Sequence, residues 1–266
     1  MPELPAMENF RRSIEEEALA KKISTVSVKQ DRVVRIKQVE LARALKGKAF
    51  EETSRHGKHV FIRAGKGSKS TWLAFHCGMT GYFIFPSDQQ DQHLTKAKLL
   101  VGFRDGSAIA FFDPRMFGRV ELIDNPENFI RDHHLGPDAM DVSAEEFSGF
   151  LAGSKKPLKT LFLDQSIMAG IGNVYGDEIP FQAKLSPKRK TNSLSKAEAG
   201  RLYRAMRKVL KIAIAKKAYL DHWDMLPKTW LVHYREENAH CPHCSSPIEH
   251  YTAGGREGYF CPGCQV

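Results

Sequence analysis

The chain has 266 residues, 42% of them hydrophobic, which is enough to bury cores in one large domain or two smaller ones and excludes a disordered tail. Lys and Arg outnumber Asp and Glu by 40 to 31, and the resulting +9 favours a polyanionic partner. No apolar run approaches the length of a membrane-spanning helix and the N-terminus, carrying Glu3 and Glu8, is no secretory signal; a cytoplasmic protein without a membrane partner is expected.

After Pro5, the residues Met7, Phe10, Ile14 and Ala18 recur at helical spacing, so a helix follows directly on the N-terminal tetrapeptide. From Ile23 to Ile123 the pattern changes to short apolar runs broken by turn residues: 33–36, 59–63, 71–75, 82–85, 99–103 and 108–112. Asp105-Gly106 is a hairpin turn between two of them, because both residues tolerate positive φ. These runs predict a β-sandwich or barrel over residues 1–124. Residues 125–143, with Pro126, Gly136 and Pro137, show neither periodicity and read as a linker.

A helical domain is expected over 144–238. Leu158–Phe162 and Tyr175–Phe181 read as helices around the glycine-rich loop Ala169–Asn173. Ser195 and Glu198 form a capping box, after which Leu202, Met206, Val209, Leu210 and Ala213 mark one apolar face. Charge concentrates here. Between Ala183 and Lys217 stand twelve basic residues against the single acid Glu198.

Residues 239–266 form the last predicted element. Cys241-Pro-His-Cys244, sixteen intervening residues and Cys261-Pro-Gly-Cys264 have the spacing by which two CxxC turns place four thiolates around one structural zinc ion. So small a tail cannot build a core, and the metal would supply its folding energy. Gly254-Gly255-Arg256 lies at the tip of the intervening hairpin; alone it reads as an ordinary turn with a solvated arginine. The fifth cysteine, Cys77, reads as a buried thiol.

Four separated pieces agree with one another: Pro2-Glu3-Leu4-Pro5, Gly57-Lys58 entering a strand, the run Asp164 to Glu178, and the four-cysteine tail ending in Gln265. Together they resemble the formamidopyrimidine-DNA glycosylase/endonuclease VIII family across the full length. The resemblance implies an α+β protein with an N-terminal β-sandwich domain, a helix-two-turn-helix domain and a C-terminal zinc finger. It implies double-stranded DNA with a damaged base or abasic site as partner, no organic cofactor, and a monomer associated with the nucleoid in a bacterium.

The resemblance also assigns roles. Pro2, once Met1 is removed, offers a secondary amine as nucleophile; an α-amino group titrates near ~8, so a useful fraction is unprotonated at neutral pH. Glu3 matches the family's acid/base, Lys58 its strand lysine beside the lesion, and Arg256 its zinc-finger arginine on the flanking phosphates. Met79, Arg115 and Phe117 match the wedge that fills the gap left by an extruded base. Asn173, Lys159 and Lys98 match contacts to the DNA backbone. Taken singly, Pro2 reads as a helix start, Lys58 as solvent-exposed, and Met79 and Phe117 as core packing.

Two departures bear on specificity. Ala6 stands where the formamidopyrimidine branch carries a second glutamate, and residues 218–230 lack the Gly/Thr-rich character of the loop that covers an everted 8-oxoguanine; a substrate other than 8-oxoguanine alone is expected. Ala6 also motivates a rival function, a DNA-damage-binding protein that has lost base excision. A zinc-ribbon RNA-associated protein would account for charge and cysteines but not for the N-terminal tetrapeptide.

Overall fold

The computed structural model describes residues 2–88, 90–218 and 223–266, and the chain divides into two compact units, Pro2 with residues 6–134 and residues 3–5 with 135–266. Helix α1 (Leu4–Ala18) follows the tetrapeptide as its periodicity predicts, with Met7, Phe10, Ile14 and Ala18 all buried.

The first unit is a sandwich of two four-stranded antiparallel sheets. One has the order β1-β6-β7-β5, from β1 (Ile23–Val28), β5 (Tyr82–Ile84), β6 (Leu99–Phe103) and β7 (Ala108–Phe112). The other has the order β2-β3-β4-β8, from β2 (Phe50–His56), β3 (His59–Ala64), β4 (Thr71–His76) and β8 (Arg119–Ile123). Period-two alternation decides what each face meets. Phe75 on β4 meets Phe83 and Phe111 of the opposite sheet edge-on at 5.2 and 5.8 Å, and Phe50 meets Phe103 at 5.9 Å. His59 and Phe61, of opposite parity to Val60 and Ile62, instead meet Phe129 at 5.2 and 5.4 Å.

That phenylalanine belongs to α3 (Pro126–Asp132), a helix capped by Asn125 inside the stretch expected to be an irregular linker. Two helix-start cues, the Asn125 cap and Pro126, are present, but with only Pro126 and Phe129 buried no apolar face develops along the segment. The expected strand at 33–36 is likewise corrected. Val33 and Val34 are fully buried, but both amides turn back to the Gln30 carbonyl, and an isolated bridge, Val34 to Val120, takes the place of a paired strand. Helix α2 (Gln38–Leu45) begins two residues after that run.

The second unit packs α4 (Ala144–Ala152), α5 (Leu158–Leu163), α6 (Tyr175–Gln182) and α7 (Lys196–Ala215) around a core that includes Leu158, Phe162, Ile179, Leu202, Met206 and Leu210. Both capping boxes, Ser143 with Glu146 and Ser195 with Glu198, are formed. On α7 the predicted apolar face is buried while Arg201, Arg204, Lys208 and Lys211 are exposed. The hairpin of β9 (Glu249–Ala253) and β10 (Arg256–Phe260) completes this unit; Gly254 and Gly255 turn it with φ of 58° and 70°, the left-handed pair a two-residue hairpin loop requires. Among the described residues no helix is long and apolar enough to cross a membrane.

Candidate active site and metal centre

In the second unit, Glu3 is fully buried and its carboxylate accepts the amides of Gly172 (2.7 Å), Val174 (2.8 Å) and Tyr175 (3.3 Å). It thereby satisfies the free N–H groups at the start of α6 from a point remote in sequence, where the helix dipole also favours a negative group. The glycine-rich loop exists to permit this approach. A Cβ on Gly172 would lie 2.5 Å from the Glu3 carboxyl carbon, and one on Gly170, at φ 118°, would lie 2.5 Å from the Leu4 side chain. The Leu4 amide donates to the Gly170 carbonyl, and Gln165 braces the loop through Gly170 and Ile171.

Asn173 lies in this loop, with its carbonyl turned inward. It accepts from the Lys159 ammonium at 2.5 Å and from Arg235 at 3.3 Å. Lys159 therefore departs from the expectation of a DNA-backbone contact: its side chain is fully buried and its ammonium is 2.6 Å from Asp177, itself wholly enclosed. Burial lowers the Lys159 pKa, opposed by the pairing with Asp177. A lysine so enclosed presents nothing to a surface.

The Sγ atoms of Cys241, Cys244, Cys261 and Cys264 all lie within 4.8 Å of one another. Tetrahedral thiolates about 2.3 Å from a zinc ion stand roughly 3.8 Å apart, so the four fit such a centre. Cys244 and Cys261, 3.4 Å apart, and Cys241 and Cys264, 3.7 Å apart, are far too distant for disulfides, which require about 2.05 Å. The Cys261 amide donates to Gln265, whose own amide donates to the Leu185 carbonyl, which anchors the cysteine turns to the chain following α6. Arg256 is exposed at the start of β10.

In the first unit, Pro2 is buried and Lys58 is half-buried in the turn between β2 and β3, where Gly57 takes φ 55°. The charge of Lys58 reaches His76: burial first, then Lys58 and Arg119, bring that imidazole down to about 4. Phe117 is 51% exposed and the Arg115 guanidinium sits 5.1 Å from its ring centre, while Met79 is half-buried. A Cβ on Gly78 would strike the Phe117 backbone at 2.5 Å, so the Met79 and Phe117 turns are in direct contact.

Asp113, fully buried, joins these two turns by accepting the Thr80 hydroxyl (2.7 Å) and the Gly118 amide (2.6 Å). Sequence reasoning passed over it; the signal was an aspartate in an otherwise apolar strand exit. Lys98 is half-buried and lines a separate cavity with Tyr82, Phe112 and Asp113. Of the aromatics in the divergent 218–230 segment, Trp230 is buried and Trp223 packs edge-on to Tyr175 at 6.4 Å, whereas residues 219–222 lie outside the described residues.

A sandwich followed by helices and a four-cysteine hairpin, with a buried acid directly after an N-terminal proline, defines a class, and comparison identifies it. Residues 1–120 match the formamidopyrimidine-DNA glycosylase N-terminal domain and residues 135–222 the H2TH domain of the same family. The chain belongs to the formamidopyrimidine-DNA glycosylase family. It is 32% identical to the formamidopyrimidine-DNA glycosylase of Streptococcus mutans over 100% of this chain and 99% of that one, and 36% identical to that of Thermus thermophilus over 100% and 98%. Among solved structures, a complex of wild-type Lactococcus lactis Fpg with DNA containing an oxidised pyrimidine superposes with a TM-score of 0.88 at 28% identity, covering 99% of each chain. A complex of the same Lactococcus protein with DNA containing an abasic site gives 0.88 at 27% identity, again over 99% of each.

Proposed function

We propose that the protein is a bifunctional DNA glycosylase and abasic-site lyase of base excision repair that works through the amine of Pro2. The observation that carries the proposal is the carboxyl group of Glu3, fixed by three backbone amides one residue after that amine. A buried acid held this firmly, on a loop where a Cβ at Gly172 would collide with the carboxyl group itself, has the preorganisation expected of a proton-transfer group.

With Met1 removed, the Pro2 nitrogen attacks C1′ of the damaged nucleotide. The C1′–N bond to the base breaks, the base leaves with a proton, and the sugar opens to an iminium ion. The iminium withdraws electrons from C2′; loss of a 2′ proton then expels the 3′ phosphate and cuts the strand. Glu3 exchanges protons with the opening sugar, and Lys58 supplies a cation near the lesion. Arg256 and Asn173 hold flanking phosphates, with Lys98 a further backbone contact. Phe117 and Met79 fill the vacated stack, and Arg115 addresses the orphaned base. The four cysteines would hold one zinc ion, which when bound folds the hairpin that presents Arg256.

Ala6 is buried on α1 and contributes no carboxylate, which supports a substrate range not centred on 8-oxoguanine. Excision assays on matched duplexes test this. Oxidised pyrimidines should be released faster than 8-oxoguanine opposite cytosine, and equal rates would contradict it. Replacement of Glu3 by Gln is expected to slow single-turnover cleavage by about 100-fold, in the range of a lost acid/base, with little change in DNA affinity. Unchanged cleavage would remove Glu3 from the chemistry.

A further inference from the structure

We infer that Asp177 is a positioning residue: it ties the four-cysteine hairpin to one of the three peptide groups that hold Glu3, so the placement of the acid depends on the hairpin. The inference rests on the assignment of Glu3 to proton transfer.

An ionised carboxylate offers about four acceptor sites, and Asp177 has four different donors, from outside its own helix. Lys159 donates from α5 at 2.6 Å and Arg235 from the segment before the hairpin. The Tyr251 hydroxyl on β9 donates at 3.0 Å and the Tyr259 amide on β10 at 3.2 Å. Arg235 also lies over the Tyr259 ring, 5.1 Å from its centre.

Both cations make a second hydrogen bond to the same atom, the carbonyl oxygen of Asn173. That carbonyl belongs to the peptide unit whose N–H, on Val174, donates to Glu3 at 2.8 Å. A peptide group is planar and rigid, so fixing its oxygen fixes the direction of its N–H. Two cations on the oxygen also polarise the group and strengthen the bond its N–H makes to the carboxylate. The connection thus runs from hairpin to Asp177, to Lys159 and Arg235, through one peptide, to Glu3. It also gives Lys159 a reason to be buried where a DNA-contacting lysine was expected.

The test uses the full-length, metal-loaded protein and reads single-turnover cleavage of an abasic-site duplex beside affinity for a duplex carrying a non-cleavable tetrahydrofuran analogue. Asp177→Asn and Tyr251→Phe are each made in the wild type and in Glu3→Gln. Cleavage should fall about 30-fold for Asp177→Asn and about 5-fold for Tyr251→Phe while affinity stays within about 3-fold, the pattern of an effect on the reacting state. In the Glu3→Gln background neither should slow cleavage further, because both act through Glu3.

Tyr251→Phe removes one hydroxyl and keeps the ring, so it decides the matter even if Asp177→Asn does not fold. Unchanged cleavage in Tyr251→Phe, or effects that multiply with that of Glu3→Gln, would overturn the inference. Wild-type protein that binds but never cleaves would instead remove the catalytic reading on which it rests.

Discussion

Glu8 illustrates how much a single carboxylate can contribute on α1. Arg11, Arg12 and Arg55 all donate to it, at 2.8 to 3.1 Å. Burial would raise its pKa, but the hydrogen bonds from Arg11 and Arg12 prevail and bring it from 4.5 to about 2. A carboxyl lowered on folding stabilises the native state above its unfolded pKa, and that stabilisation is lost as pH falls towards the folded value. Glu8→Gln should therefore cost about 2–3 kcal/mol at pH 7, with the difference from wild type closing between about pH 4.5 and 2 in denaturant titrations. A constant difference across that range would contradict the pairing. At this scale a motif drew attention to Glu3 in the sequence, whereas residues whose surroundings are set by burial gave no such signal. Lys159, matched to a DNA-backbone contact, and Asp177, given no role, were not legible as a buried pair because nothing in their neighbours' identity reveals that one encloses the other.

At the scale of elements, the glycine-rich loop and the cysteine hairpin carry the sharpest consequences. Gly172→Ala should abolish most cleavage while leaving the helical core folded, since its Cβ would displace the Glu3 carboxyl group. Gly149→Ala on the exposed side of α4, where a Cβ meets nothing, is the matched control. It should raise stability by up to about 1 kcal/mol in thermal unfolding and leave cleavage intact. Removing metal with a chelator should expose four titratable thiols together and lower DNA affinity, restored by added zinc; independent reactivity of the four would argue against a shared centre.

Elements whose cues are local were legible in the sequence. The Ser195 capping box, the Asp105-Gly106 turn and the Gly254-Gly255 turn all formed where read. Strand β2 was not read, because Phe50–His56 is mostly polar and holds its place through pairing with β3. Helices α2 and α3 were not read because each buries only two residues, Leu41 and Leu45 in the one and Pro126 and Phe129 in the other, too few to mark an apolar face.

For the whole molecule, net charge and connectivity carry the argument. A formal +9, with five exposed basic residues along α7, implies binding that weakens steeply with salt. Affinity for an undamaged duplex should fall with a log–log slope of roughly −0.9 per phosphate contacted, and a slope near zero would contradict a polyanion-binding role. The order of sandwich, helices and cysteine hairpin was readable because each has its own pattern, whereas the grouping of residues 3–5 with the second unit was not. The hydrogen bonds of Glu3 and Leu4 to a loop about 170 positions away, and the packing of Leu4 in the helical core, reveal it.

The central claim is that Pro2 forms a covalent bond to the sugar, and borohydride addresses it directly by reducing an iminium to a stable amine. Protein incubated with a duplex bearing one abasic site should yield a covalent protein–DNA band on adding borohydride, absent from Pro2→Ala and from a form that retains Met1. A band of equal strength from Pro2→Ala, or none from a wild type that still binds the duplex, would contradict the account.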